Sequence, residues 1–414
     1  MTNKGSLAIK DGAAIKPLTS LRFFAAFWVV LFSYWGKLDG PAASTLVTKG
    51  YLGVELFFTL SGFILCHVYL KGFGEGRFAY GGFIGNRLAR VYPLHLATLA
   101  AMAGLAVAAT MAGMSVDANL LDWASLPANL LLLHAWGLAQ TAAFNHPSWS
   151  ISAEWFAYLS FPAFAFAAWR LRARPWLFLG LAVAFILILY PAFRALSGFH
   201  LTEATYKWGA LRIVPCFLFG CALHSLWRSG ALAQAPCGAL ALGFLAWAVI
   251  SASLGAPDHI TLLGMGGLIA SLAGMAQRGS SVLSQAPLIY LGEISYSIYM
   301  VCALWEIVFV NGAAKLLRLP SEQLPWPLWI LLVLGVIPLA AASYHLVEKP
   351  ARTHLKAWFD SRQGRRLATA PGDKPSFHPG MRQLSPRITS TGKHPTACID
   401  GFGQRWVPWW PRSW

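Results

Sequence analysis

Apolar residues in this chain come in long, nearly unbroken runs. They cover about residues 20–36, 51–70, 91–113, 151–169, 175–195, 208–227, 231–253, 260–277, 287–310 and 327–346. A helix needs roughly 20 such residues to cross a bilayer core. A further apolar stretch, about 125–137, is short for a crossing and reads as a buried or re-entrant segment. The pattern predicts an all-α, polytopic membrane protein with about ten transmembrane helices.

Charge supports that count. With 125–137 not crossing, Lys71, Arg77, Arg87 and Arg90 share a side with Arg170, Arg172, Arg174, Arg228, Arg278, Lys349, Arg352 and Lys356. Asp117, Asp122 and Asp258 fall on the other side. This is the positive-inside distribution, and it puts both termini in the cytoplasm. Counting 125–137 as a span would place the cluster Arg170–Arg174 outside.

One run is interrupted by polar chemistry, at Gly53-Val54-Glu55-Leu56-Phe57-Phe58-Thr59-Leu60-Ser61-Gly62-Phe63. Polar groups at membrane depth are costly and face a protein interior or an aqueous cavity. Glu154, Glu293 and Glu306 raise the same question at other span ends.

Composition narrows the class. Of 414 residues, 57% are hydrophobic and 12% charged, with mean hydropathy +0.54. A soluble domain carries about 25% charged residues, so an ordinary cytosolic enzyme is excluded. The net charge of +16 sits in short loops and the tail, which argues for membrane topology rather than nucleic acid. The cysteines Cys66, Cys216, Cys221, Cys237, Cys302 and Cys398 have no metal-ligand spacing, and no metal is expected. No cleavable signal peptide is expected, because the first apolar run continues into a multi-span pattern. The chain divides into a cytoplasmic segment at 1–18, a membrane domain at 19–355 and a basic, disordered tail at 356–414. From Ser361 the tail is rich in Pro, Gly, Ser, Thr and Arg, and it ends with Trp406, Trp409, Trp410 and Trp414.

Several residues carry candidate chemistry. Arg22 and Ser33 are eleven positions apart, which returns a helix to within about 20° of the same face. They line one stripe, as a snorkelling arginine and a small packing residue also would. Arg87 and Arg90 share a helix face and present guanidinium forks suited to phosphates, or anchor the span as positive-inside charges. In Pro147-Ser148-Trp149-Ser150-Ile151-Ser152-Ala153-Glu154, Ser150 is placed to cap a helix and Glu154 to complement its dipole. Cys302 follows Ser295 by seven residues in Ser295-Tyr296-Ser297-Ile298-Tyr299-Met300-Val301-Cys302, where it also reads as a small buried hydrophobe.

Four separated patterns in order resemble acyltransferase family 3, the membrane acyltransferases that O-acetylate bacterial envelope glycans. They are the Leu21-Arg22 helix start, the Gly53–Phe63 motif, Trp149-Ser150-x-Ser152-x-Glu154, and Ser295-Tyr296-Ser297-Ile298-Tyr299 with the later Glu348-Lys349-Pro350-Ala351-Arg352. The similarity covers about residues 17–355. It implies ten spans in the bacterial inner membrane, an acetyl-CoA or other acyl-CoA donor, and a glycan hydroxyl acceptor. Arg22 matches the arginine of the family's Arg-x10-His motif. Arg87 and Arg90 match its cytoplasmic Arg-x-x-Arg pair, a contact for CoA phosphates. Glu154 is expected to order the outer half of the site.

The sequence departs from the family where histidines are expected, at Ser33 and Cys302. Taking a proton from a hydroxyl calls for a base such as imidazole, and serine cannot supply one. Cysteine would serve as an acyl-accepting nucleophile only if activated. The readings are therefore an active O-acyltransferase, a catalytically impaired pseudoenzyme of the same family, and a transporter or flippase of a glycan or lipid precursor. No convincing internal repeat supports the last.

Overall fold

A computed structural model describes residues 13–113, 118–141, 143–279, 281–317, 319 and 323–369. Residues 1–12, Asp117, Cys398 and the tail beyond 369, with its four tryptophans, lie outside the described residues. The principal helices are α1 (Lys16–Trp35), α2 (Gly53–Gly74), α3 (Tyr80–Met111), α4 (Trp149–Leu159), α5 (Phe161–Arg170), α6 (Pro175–Ser197), α7 (Gly209–Arg228), α8 (Cys237–Ser253), α9 (Asp258–Gln277), α10 (Ala286–Glu293), α11 (Ser295–Leu317), α12 (Trp326–Ser343) and α13 (Lys349–Thr369). Among the described residues there is no strand, only one bridge between Leu38 and Leu324.

Among the described residues, eight helical stretches are long and apolar enough to cross a membrane. Two further predicted spans take other forms. The run at 151–169 is the consecutive pair α4 and α5, interrupted at Ser160. Pro162 in the first turn of α5 has no N–H for the preceding turn, so the ladder breaks there. The run at 231–253 is α8, with 17 residues. Residues 126–138 form two short helical pieces, Leu126–Leu130 and His134–Leu138, and no continuous helix. Gly137 at φ 84° turns the chain within the second piece, a conformation that glycine takes without a Cβ clash.

Local sequence sets many of the ends. Proline sits in the first turn of α1, α5, α6, α10 and α12, where its missing N–H costs nothing. Gly198 ends α6 in the left-handed conformation. The third span starts earlier than its apolar run, at Tyr80, so Arg87 and Arg90 are fully helical.

Helix α1 is the wedge of the bundle. Leu18, Leu21, Ala25 and Val29 pack into the larger core with α2, α7 and α9. Ala26, Val30 and Tyr34, on another face, pack with α11 and α12. Outward positions such as Leu181, Ile188, Leu242, Ile250, Leu331 and Leu334 are exposed and apolar, as lipid-facing residues are.

At the centre, α2 and α7 cross with no room for side chains. A Cβ on Gly62 would collide with the Phe217 carbonyl, and one on Gly220 with that of Thr59. Beside this crossing Arg212 Nε donates to Glu55 Oε1 at 2.5 Å, with both side chains almost wholly buried. Arg212 Nη1 also donates to the Ala204 carbonyl (3.0 Å), and its guanidinium lies 4.6 Å from the Trp149 ring centroid. Glu55 is thus explained first by a structural partner that the sequence did not single out. A second buried carboxylate, Asp258, pairs with Lys49 and accepts from Tyr51 and Thr202. These contacts pin the connections leading into α2, α7 and α9.

Removing one partner of a buried pair costs about 3–5 kcal/mol, because the other charge is left stranded. Arg212→Met alone should therefore lower the melting temperature in detergent sharply, and Glu55→Leu with Arg212→Met should recover most of the loss. Gly62→Leu should abolish folded yield whatever the state of the ion pair. A normal melting curve for Arg212→Met would show that the pair does not hold α2 to α7.

Candidate active site

The second polar cluster lies where α1, α3, α4 and the end of α12 come together. Arg22, six residues into α1, interacts electrostatically with Arg90, Glu154, Glu348 and the Tyr158 hydroxyl. Its guanidinium is 6.0 Å from the Phe57 ring centroid. Arg90 in turn interacts with Arg87, Tyr158, Arg352 and Glu348. Helix α3 presents Arg87 and Arg90 one turn apart, as the i, i+3 spacing requires.

Each carboxylate is held by hydroxyls. Ser61 Oγ, from α2, donates to Glu154 Oε1 at 2.5 Å, and the Tyr158 hydroxyl interacts electrostatically with Glu154. Ser297 Oγ, from α11, donates to Glu348 Oε2 at 2.8 Å. Arg352 lies 3.8 Å from the same glutamate. Glu348 reaches this position from a π-helical turn, Tyr344–Glu348, that joins α12 to α13. Such wide turns re-aim side chains that a regular α-helix would point elsewhere.

Four guanidinium groups thus meet two carboxylates, so the cluster keeps an excess of positive charge. Arg87 is pinned by aromatics, with its guanidinium 5.7 Å from the Tyr69 ring and 6.0 Å from that of Tyr158. Its Nη2 donates weakly to the Tyr69 hydroxyl (3.4 Å), and its buried Nε has no partner. An oriented, incompletely satisfied guanidinium in a positive cluster is suited to an anionic oxygen.

Of the six residues chosen from the sequence, Arg22, Arg87, Arg90 and Glu154 are brought together, and Ser33 and Cys302 are not part of the cluster. Glu154, five residues into the short helix α4, joins the arginine cluster. Ser33 is exposed. The inward position is its neighbour Tyr34, whose hydroxyl donates to the Cys302 carbonyl at 2.8 Å. Cys302 is buried, and its thiol is turned back to the Tyr299 carbonyl (3.1 Å). Ser150 does not cap α4; that helix begins at Trp149 with Ser148 before it, and Ser150 Oγ donates to Pro147 O (3.2 Å). Glu293 is exposed, and Glu306 pairs with Lys37 at 3.9 Å.

Sequence reading missed Glu348 as a site residue. It reads as part of a charged stop, and only the π-turn and the reach of Ser297 show that it is buried. Arg212 carried a usable signal, since a lone arginine inside an apolar run needs an acidic partner.

The buried, hydrogen-bonded Cys302 thiol should resist alkylation in the folded protein. Treatment with a membrane-permeant maleimide should leave Cys302 unmodified in native vesicles and label it after denaturation, as read by peptide mass. Fast native labelling would show an accessible, reactive thiol.

Comparison with known proteins identifies the family. The acyltransferase family 3 domain, described as "Acyltransferase domain", matches residues 16–345. "Acyltransferase MdmB" of Streptomyces mycarofaciens is 29% identical over 310 residues, covering 69% of this chain and 77% of that protein. "Protein 2 in picA locus" of Rhizobium radiobacter is 42% identical over 89 residues, 21% of this chain and 42% of its own. "Putative peptidoglycan O-acetyltransferase YrhL" of Bacillus subtilis (strain 168) is 26% identical over 335 residues, 73% of this chain and 51% of that one. No solved structure matches. The match over most of the helical bundle makes this chain a member of acyltransferase family 3, a multi-pass membrane acyltransferase.

Proposed function

We propose that this protein takes an acyl group, acetyl in the first instance, from acyl-CoA at the cytoplasmic face of a bacterial inner membrane. It passes that group to a hydroxyl of an envelope polysaccharide or related glycan. Support for the donor comes from the positive excess around Arg22, Arg87, Arg90 and Arg352 and from the unpaired Nε of Arg87. CoA carries several phosphates, and bidentate guanidinium contacts are the strongest protein partners for them. The charge pattern of the loops puts these arginines on the cytoplasmic side, where acyl-CoA is found.

In this reading Arg87 and Arg90 hold the CoA phosphates. Arg22 lies deeper along the cluster and orients the group being transferred. Glu154 and Glu348 keep the guanidinium groups in place through their hydroxyl-anchored carboxylates. The acceptor class rests on family membership and on the name of the Bacillus subtilis relative, which describes peptidoglycan O-acetylation.

The test is direct. The purified chain in proteoliposomes is given radiolabelled acetyl-CoA and envelope glycan isolated from the producing cells. Label should move into glycan. Arg87→Ala and Arg90→Ala should each raise KM for acetyl-CoA by about tenfold, with a smaller change in kcat. Transfer only by a Ser33→His, Cys302→His double variant would instead establish a catalytically impaired member. Label that stays on protein and is lost with Cys302→Ala would establish a cysteine nucleophile.

A further inference from the structure

Between α3, the 126–138 segment and the turn before α4 lies a buried polar cluster that the arginine site does not use. His95, wholly buried on α3, has Nε2 2.9 Å from the Asn129 backbone carbonyl. A carbonyl only accepts, so Nε2 carries the hydrogen, and in the neutral ring Nδ1 is a bare lone pair. That Nδ1 is buried and has no partner.

The neighbouring amides are fixed by the same logic. Asn145 Nδ2 donates to the Met300 carbonyl (2.9 Å) and to Thr98 Oγ1 (3.1 Å). Asn129 Nδ2 donates to the Ser125 carbonyl (3.0 Å). Each amide oxygen is therefore left over, and Asn145 Oδ1 and Asn129 Oδ1 are both buried without a partner. The His134 ring lies parallel to that of His95, within 7°, at 6.0 Å between centroids, and its Nε2 is 3.1 Å from Ser148 Oγ.

Three unfilled acceptors in one buried cluster, beside a His134 Nδ1 that is likewise buried without a partner, cost about 1–3 kcal/mol each if nothing donates to them. What such a set lacks is an O–H donor. We propose that His95 Nδ1 is the general base of this acyltransferase and that the cluster receives the acceptor's hydroxyl. This rests on the acyl-transfer reading and supplies the base that Ser33 and Cys302 cannot.

The step balances without another reactant. The acceptor oxygen attacks the thioester carbonyl carbon, the C–O bond forms and the C–S bond breaks. The hydroxyl proton moves to His95 Nδ1 and then to the departing CoA sulfur, which restores the neutral ring. His95 is five residues beyond Arg90 on α3, roughly 7.5 Å along the axis and about 140° around it. The intervening turn is tied to α11 by the Tyr296 hydroxyl, which donates to the Val91 carbonyl at 2.6 Å.

His95→Gln separates a base from a structural histidine, because the glutamine amide keeps a donor for the Asn129 carbonyl and removes the Nδ1 lone pair. With radiolabelled acetyl-CoA and the same envelope glycan, this variant should keep its melting temperature and its KM for acetyl-CoA. Its kcat should fall by about 10²-fold or more, the usual worth of a general base. Native kcat in His95→Gln would overturn the assignment while leaving the acyltransferase reading intact. So would a loss of stability or donor affinity in proportion to activity. A native chain that binds acetyl-CoA and transfers nothing would overturn both. A second measurement needs no engineered base. In ¹⁵N-histidine spectra of the native chain, the His95 Nδ1 signal should be that of an unprotonated nitrogen and should shift on adding the glycan. A protonated or unmoved Nδ1 would also overturn the assignment, with ordered water as the cluster's only occupant.

Discussion

A carboxylate inside a bundle surrounded by hydrocarbon has to be met by a cation, and the Glu55–Arg212 pair is where this protein meets that demand. The pair joins α2 to α7, the helices whose glycines let their backbones touch. Guanidinium, carboxylate, the Ala204 carbonyl and the Trp149 ring form one buried unit. The unit fixes the start of α7 against α2 and holds α4 by its first residue. Everything that α2 and α4 carry further along, Ser61 and Glu154 above all, inherits its position from that junction.

The arginine cluster is built differently. Its four guanidinium groups outnumber its two carboxylates, so it is not a closed structural salt bridge. Hydroxyls from α2 and α11 hold the acids, and aromatic rings flank Arg87. The surplus charge is what a polyanionic donor would neutralise. The Glu55 unit has one acid for one guanidinium and a packing role; the Arg22 unit has more guanidinium groups than acids and is the proposed donor site.

The proposed base lies in the histidine cluster. Acyl transfer to an alcohol needs a proton acceptor as well as a charge clamp. Cys302, tied to its own helix, and Ser33, exposed on α1, do not supply one. In the cluster beside the 126–138 segment, the ring whose tautomer is set by a backbone carbonyl is His95. It lies on α3, the same helix that carries Arg87 and Arg90, so one helix carries both the proposed donor site and the proposed base.

The sequence by itself determined the membrane class, nearly all the helices and four members of the arginine cluster. Apolar run length and the side on which arginines collect are local properties, written directly in residue order. Tertiary structure alone decided which charges meet. Glu55 finds Arg212 from 157 positions away, Glu348 turns inward on a π-helical turn, and Ser33 yields the inward place to Tyr34. It also placed His95 against the Asn129 carbonyl with its Nδ1 buried and without a partner. Hydrogen-bond partners, and so tautomers and unfilled lone pairs, exist only once distant helices have packed.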